Sequence, residues 1–283
     1  MKKAAVIQDL SGFGRCSLAA ALPVISAMGV QACPLPSAIL SNQTGYSSYF
    51  CTDYTPYMPE YIAQWHKMGA VFDGIYTGFL ASEQQIHIVK DFVVTAGQQA
   101  LVLVDPVMGE GGKMYPSYTN AMCQGVKQLA AMAQVITPNV TECCILTGCD
   151  YNQLCSDVQQ TGIRAVEQQA KKLLVGNTRA VVVTGIHTTG PTGKKAVANL
   201  AVGRRGSFAL YNPHICGGAY SGTGDLFASA LFGGLIRGWP LYRALGCAVN
   251  FVLPAIASAA STGADPNDGV EFEKYLYLLT KEV

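Results

Sequence analysis

Six apolar runs punctuate the chain, and each is continuous rather than alternating: Ala4–Gln8, Val30–Leu35, Gly74–Thr77, Ala100–Val104, Gln134–Thr137 and Ala180–Thr184. Unbroken apolar runs of this length are what central strands of a parallel sheet need, because such strands are covered on both faces. Between them lie stretches with apolar residues at helical spacing. These predict helices over 16–28 and about 59–68, 82–96, 118–131, 139–147 and 157–175. Lys195 to Val202 and Ser207 to Tyr211 flank Gly203-Arg204-Arg205-Gly206 and predict a hairpin. Helices over about 223–237, 241–259 and 270–280 close the pattern. Strand–helix alternation over most of the length predicts an α/β fold, a three-layer α/β/α sandwich with a mostly parallel central sheet. No linker, low-complexity run or repeat divides residues 1–283, so a single domain is expected.

Composition narrows this picture. Half of the 283 residues are hydrophobic and 13% are charged. So small a charged fraction suggests that another subunit covers part of the surface, and a homodimer is expected. The net charge of +1, from 19 Lys and Arg against 18 Asp and Glu, offers no basic excess for nucleic acid. The ten cysteines are scattered, with Cys143 and Cys144 adjacent and no CxxC pair. That argues against a structural zinc site and for free thiols in a reducing cytoplasm. Met1-Lys2-Lys3 precedes an apolar run that meets Asp9 and does not read as a signal peptide. Ala244 to Ala264 carries no charge, but Asn250 and Pro254 within it favour a buried helix pair over a membrane span. The four histidines show no ligand spacing.

In sheets of this kind, ligands sit beyond the carboxyl ends of the strands, so chemistry is sought there. The densest candidate is Gly217-Gly218-Ala219-Tyr220-Ser221-Gly222-Thr223-Gly224-Asp225, which runs straight into an apolar helix. Unpartnered N–H groups and the helix dipole make such a start an anion site. Asp225 in its first turn is expected to stay ionised, because that dipole favours its charge. A base beside an anion hole is what phosphoryl transfer to an alcohol requires. An ordinary capped helix, with Thr223 as N-cap, explains the same residues. Cys216, close to this turn, fits a small buried apolar side chain better than a covalent trap for an aldehyde.

Five other segments follow strands. Asp9-Leu10-Ser11-Gly12-Phe13-Gly14 lacks the GxGxxG spacing of a dinucleotide site, yet it can bring Asp9 to a small polar substrate. Ser41-Asn42-Gln43-Thr44-Gly45-Tyr46 is uncharged and rich in hydrogen-bonding groups, which suits a neutral heterocycle. Of the aromatics near it, Tyr46, Tyr49, Phe50, Tyr54, Tyr57, Tyr61 and Trp65, most are expected to pack. Asp105-Pro106-Val107-Met108-Gly109-Glu110-Gly111-Gly112 combines an Asp with a Gly-rich loop, which suggests a carboxylate near a metal-bound phosphate and a flap above it. Asn139-Val140-Thr141-Glu142 reads as a capping box and also sets an amide and a carboxylate at the ligand edge. Thr184-Gly185 adds a hydroxyl at the end of its strand.

The ordered set resembles the pyridoxal kinases of the ribokinase-like superfamily. The resemblance is carried by Ser-Asn-Gln-Thr-Gly-Tyr at 41–46, Thr-Gly-Phe-Leu at 77–80, Asp-Pro-Val-Met-Gly at 105–109, Thr-Pro-Asn-x-x-Glu at 137–142 and Gly-Thr-Gly-Asp-Leu-Phe at 222–227. It implies transfer of a phosphoryl group from ATP, with Mg²⁺ and conceivably a monovalent cation, to the 5′-hydroxymethyl of pyridoxal, pyridoxine or pyridoxamine. It implies Asp225 as general base and the N–H groups of Gly222, Thr223 and Gly224 as the anion hole. Glu142, with Asp105, would hold Mg²⁺, Asn139 and Thr184 would meet the ATP phosphates, and Tyr115 would lie on the flap. Asn42, Thr44, Phe79 and Asp9 would line the vitamin site.

Asp9, Gln43 and Phe79 stand where many of these kinases carry Ser, His and Tyr. An Asp after the first strand is also typical of hydroxymethylpyrimidine kinases, which usually carry Cys in place of Asp225. That activity is the alternative substrate reading. A vitamin-binding protein without turnover is the alternative of another class, and an intact Gly-Thr-Gly-Asp argues against it.

Overall fold

The computed structural model describes residues 1–215 and 219–280. In chain order the elements are β1 (Lys3–Ser11), α1 (Ser17–Ala27), β2 (Gln31–Leu40), β3 (Cys51–Asp53), α2 (Met58–Lys67), β4 (Gly74–Thr77), α3 (Glu83–Ala96) and β5 (Leu101–Val104). Next come β6 (Gly109–Glu110), β7 (Lys113–Met114), α4 (Asn120–Met132), β8 (Val135–Ile136), α5 (Val140–Thr147), α6 (Tyr151–Thr161), α7 (Arg164–Lys171), β9 (Ala180–Thr189), β10 (Lys195–Gly203) and β11 (Gly206–Pro213). The chain closes with α8 (Thr223–Ile236), α9 (Leu241–Thr262) and a short α10 (Tyr277–Thr280). The predicted class is what forms: an α/β/α sandwich on a mostly parallel central sheet.

The chain folds as two compact units, Met1–Leu101 with Ile215–Val283, and Val102–His214. In the first, β4, β1 and β2 run parallel in that order, and β3 pairs antiparallel on the outer edge of β2. Pro34 and Pro36 are tolerated inside β2 because β3 covers only Ala38–Leu40. Helices α1 and α8 pack here. A Cβ on Gly74 would meet the Phe232 ring at 2.7 Å, so glycine lets α8 lie close on β4. In the second unit β5, β8 and β9 are parallel, and β10 and β11 continue antiparallel as the predicted hairpin.

Several boundaries depart from the sequence pattern. Strand β1 runs on to Ser11, so Asp9 lies inside it rather than after it. Its pairing with β2 resumes beyond a bulge, with Leu10 opposite Ile39. Strand β9 likewise continues to Thr189 instead of ending at Thr184. The helix predicted over 157–175 is two helices, broken where Gly162 takes φ +67°. The charge-free stretch from Ala244 is one helix, not a pair; α9 is long and apolar enough to cross a membrane by length and composition alone. Pro254 sits within it, and Leu245, Ala248, Phe251, Val252 and Ala255 are buried. The C-terminal helix predicted over 270–280 is a 3₁₀ turn at Phe272–Tyr275 followed by α10.

Candidate active site

The first unit gathers two carboxylates. Helix α8 begins at Thr223, and its N-cap is Gly222 rather than Thr223. Gly222 has φ +77°, and a Cβ there would lie 1.9 Å from the Arg15 carbonyl oxygen, so only glycine fits. It supplies no capping side chain. Thr223 donates its hydroxyl to the Tyr220 carbonyl at 3.0 Å instead. Gly224 is exposed, with open space where a Cβ would stand. Asp225 is therefore the third helical residue. Its Oδ2 accepts the backbone N–H of Ser17, the first residue of α1, at 2.7 Å. Cys216, Gly217 and Gly218 lie outside the described residues.

Asp9 reaches the same place from β1. It is buried, and its Oδ2 accepts the Ser11 hydroxyl at 3.0 Å. Burial raises the Asp9 carboxyl above its ordinary value, against the hydroxyls of Ser17 and Ser11, which favour its charge. Burial pushes Asp225 up to about 7, and the negative charge of Asp9 adds to this against the Ser17 N–H. The expectation that the helix dipole keeps Asp225 ionised is therefore corrected. Desolvation outweighs the dipole, and near neutral pH the carboxyl is divided between its two forms. A carboxyl poised there can accept a proton from an alcohol and release it again. Cys16, beside both acids, has its thiol driven to about 12, by burial first and then by the charges of Asp225 and Asp9.

The 41–46 segment is mostly tied to itself and to the C-terminal part of the chain. Asn42 donates to the Ser48 carbonyl at 2.8 Å and accepts the Ser41 hydroxyl at 2.6 Å. Gln43 is buried; it donates to Asn267 Oδ1 at 3.1 Å and accepts the Gly45 N–H at 2.6 Å. Tyr46 donates its hydroxyl to Asp268. Thr44 is exposed, and Phe79 is half-buried with its carbonyl accepting from Ser37 at 2.9 Å. Among the described residues no hydrogen bond joins Asn42 or Thr44 to Asp9. Tyr54, Tyr57, Tyr61 and Trp65 form a chain of ring contacts continued by Phe72 and Phe92, which is packing. Tyr49 and Phe50 are exposed.

The second unit gathers the other candidates around α5. Asn139 is its N-cap and Glu142 its third residue, and the capping box forms in full: Glu142 N–H donates to Asn139 Oδ1 at 2.9 Å and Asn139 N–H to Glu142 Oε2 at 2.8 Å. Glu142 Oε1 also accepts the Met108 N–H at 3.2 Å. Asp105 follows β5, is buried rather than a surface cap, and accepts the Thr137 hydroxyl at 3.0 Å. Burial raises the Glu142 carboxyl well above the usual range, and the charge of Asp105 raises it further. Two buried carboxylates, with Asp105 disfavouring the charge of Glu142, suit a hard dication as donors. No third His, Cys, Asp or Glu joins them among the described residues.

The Gly-rich loop after Asp105 is a small hairpin of β6 and β7, turned by Gly111 and Gly112 at φ +58° and +80°. Tyr115 follows it and donates its N–H to the Met108 carbonyl at 2.9 Å. Asn139 and Thr141 tie the hairpin to α5: Asn139 Nδ2 donates to the Gly109 carbonyl and Gly112 N–H to the Thr141 hydroxyl, each at 2.9 Å. Thr184 bridges to Asn139 in parallel, its N–H donating to the Pro138 carbonyl at 3.0 Å. Thr184 and Gly185 face Asn199 alone, a bulge in β9 with Gly185 at φ +68°. That bulge, not a strand end, sets Thr184 apart from the ladder.

Sequence reasoning missed Ser11, Ser17 and Thr141. Ser11 has no periodic signal, and Ser17 acts through its backbone. Thr141 lies inside the Asn-x-x-Glu segment and could have been read from it.

The fold and its relatives define a phosphotransferase of the ribokinase-like superfamily, acting on an alcohol group. A family model described as phosphomethylpyrimidine kinase matches residues 14–269, and the chain belongs to that family. It is 27% identical over 260 residues to a pyridoxine/pyridoxal/pyridoxamine kinase of Bordetella avium, covering 89% of this chain and 83% of that one. It is 30% identical over 188 residues to a hydroxymethylpyrimidine/phosphomethylpyrimidine kinase of Haemophilus influenzae, covering 66% and 65%. Among solved structures it is similar to a candidate phosphomethylpyrimidine kinase of Bacteroides thetaiotaomicron, in an orthorhombic crystal form with pyridoxal. The TM-score is 0.89, the identity 34%, and the coverage 98% of this chain and 95% of that one.

Proposed function

We propose that this chain transfers the γ-phosphoryl group of ATP to the 5′-hydroxymethyl of a B6 vitamer: pyridoxal, pyridoxine or pyridoxamine. The observation that carries the reading is Asp225, held in the first turn of α8 behind a glycine-only N-cap, with its carboxyl poised at about 7. Asp225 takes the proton of the attacking hydroxyl. The N–H groups of Gly222, Thr223 and Gly224, with the α8 dipole, stabilise charge on the transferring group, which is the dominant contribution in this chemistry. Asp9, Asn42, Thr44 and Phe79 line the vitamin site.

Glu142 and Asp105 hold Mg²⁺, largely through water. When bound, the ion neutralises charge on the nucleotide phosphates. Asn139 and Thr184 contact those phosphates, and Tyr115 on the hairpin covers the nucleotide. A monovalent cation may be added to the assay as a further variable, since the resemblance allows for one. The relatives similar to this chain and the solved neighbour with pyridoxal support the vitamer.

Two finer points belong to the proposal. A cytoplasmic setting fits the nine described cysteines, all free. A homodimer fits Phe50 and Tyr49, 70% and 50% exposed beside the edge strand β3, and sedimentation of the purified protein tests it.

Hydroxymethylpyrimidine kinase activity is the second reading, favoured by the family match and the Haemophilus influenzae relative. Purified protein with MgATP and a panel of the three vitamers and hydroxymethylpyrimidine decides between them, with products identified by mass. Pyridoxal 5′-phosphate or its congeners are expected. Phosphorylation of hydroxymethylpyrimidine alone moves the assignment to the second reading, and no product at all leaves a binding protein.

A further inference from the structure

Ser17 is the one residue other than glycine, among the described residues, with a left-handed backbone, at φ +50°. It is buried and opens α1. Glycine takes this conformation freely, whereas a Cβ makes it costly. Strain of this kind persists where the surroundings over-determine it, and it collects at functional sites.

Here the strained residue meets both acids of the acceptor site. Its N–H donates to Asp225 Oδ2 at 2.7 Å, and its hydroxyl favours the charge on Asp9. Asp225 thereby lies at two helix starts, its own and that of α1, and both dipoles favour its ionised form. The other titratable groups facing it are Asp9 from β1 and Cys16 just before α1, whose thiol stays neutral.

We propose that Ser17 is the positioning residue of this site: its left-handed backbone turns its N–H onto the Asp225 carboxylate. This rests on the reading of Asp225 as the base. The N–H fixes one carboxylate oxygen and leaves the other for the alcohol.

Ser17→Ala and Ser17→Gly isolate the backbone contribution. Both lack the hydroxyl, and both keep an N–H, but only glycine adopts φ +50° without strain. Carbon-13 titration of the labelled Asp225 carboxyl is expected to give a higher midpoint in Ser17→Ala than in Ser17→Gly, because losing an N–H donor disfavours the carboxylate. Turnover of the vitamer is expected to be ~10-fold lower in Ser17→Ala than in Ser17→Gly, with KM changed far less and the acid limb of the kcat profile moved up. Ser17→Val should exaggerate each effect; if it does not fold, the Ala and Gly pair still decides. Equal midpoints and equal kcat in Ala and Gly overturn the proposal. If the wild type phosphorylates no substrate in the panel, the functional reading fails, and the titration alone rules on the positioning.

Discussion

Asp225 and Glu142 stand at the same position of their helices, the third residue of α8 and of α5, yet their carboxyls find different partners. Glu142 turns back on its own helix start, where Asn139 completes a capping box. Asp225 has no such partner, because Gly222 offers no side chain; its carboxyl instead reaches a different helix, at Ser17. The cap thus decides where the acid points. Each acid has a second carboxylate nearby, Asp105 for Glu142 and Asp9 for Asp225, and each is raised by burial first and by that neighbour as well. The pair around Glu142 lies under backbone donors beside a Gly-rich hairpin, and in the proposed function it holds a dication. The pair around Asp225 lies beside the Ser11 hydroxyl and a glycine turn, and in the proposed function it takes a proton.

The largest expected effect breaks the proton side. Asp225→Asn should lower kcat by ~10³-fold while nucleotide affinity, read by calorimetry, stays within about twofold, since general bases contribute 10²–10⁴. A variant that keeps most of its kcat would falsify the assignment of the base. On the dication side, Glu142→Gln should raise the Mg²⁺ needed for half-maximal activity by roughly 10–100-fold, the range seen when groups that support a metal are removed. An unchanged Mg²⁺ dependence removes Glu142 from the metal site.

The two glycines of the anion turn should differ. Gly222→Ala is expected to cost ~2 kcal/mol or more, because the new Cβ is both left-handed and against the Arg15 carbonyl. Gly224→Ala, facing open space, should stay within about 0.5 kcal/mol. Denaturant melts that rank them the other way would undo the account of the N-cap. Asn139→Ala removes half of the capping box and should cost ~1 kcal/mol.

The last prediction is a pH trend. The folded state holds the Asp225 proton up to about 7, against 3.8 for an ordinary aspartate carboxyl. The stability this contributes is complete below pH 3.8 and is lost as pH rises through about 7. The melting temperature of Asp225→Asn should therefore gain on the wild type across that window. A constant difference between the two would show that the Asp225 carboxyl is not desolvated.

Much of both pairs was legible in the chain because it is local. Asn139 and Glu142 announce their capping box by spacing alone, and Gly222–Asp225 announces a glycine turn entering a helix. What escaped was set by neighbours distant in sequence. Strand β1 extends through Asp9 and Ser11 because β2 continues to pair with it beyond a bulge. Thr184 sits in a bulge only because Asn199 alone faces it and Gly185. Gln43 is fastened to Asn267, more than two hundred residues on.

By itself, then, the sequence determined the alternation of strands and helices, the helix starts and the candidate acids, since periodicity, caps and glycine turns act within a few residues. Tertiary structure decided which acids face each other, that Ser17 must adopt a left-handed backbone, and that Asp225 is poised near neutrality rather than fully ionised. Desolvation and like-charge proximity depend on what is packed around a group, and no local pattern in the chain encodes that.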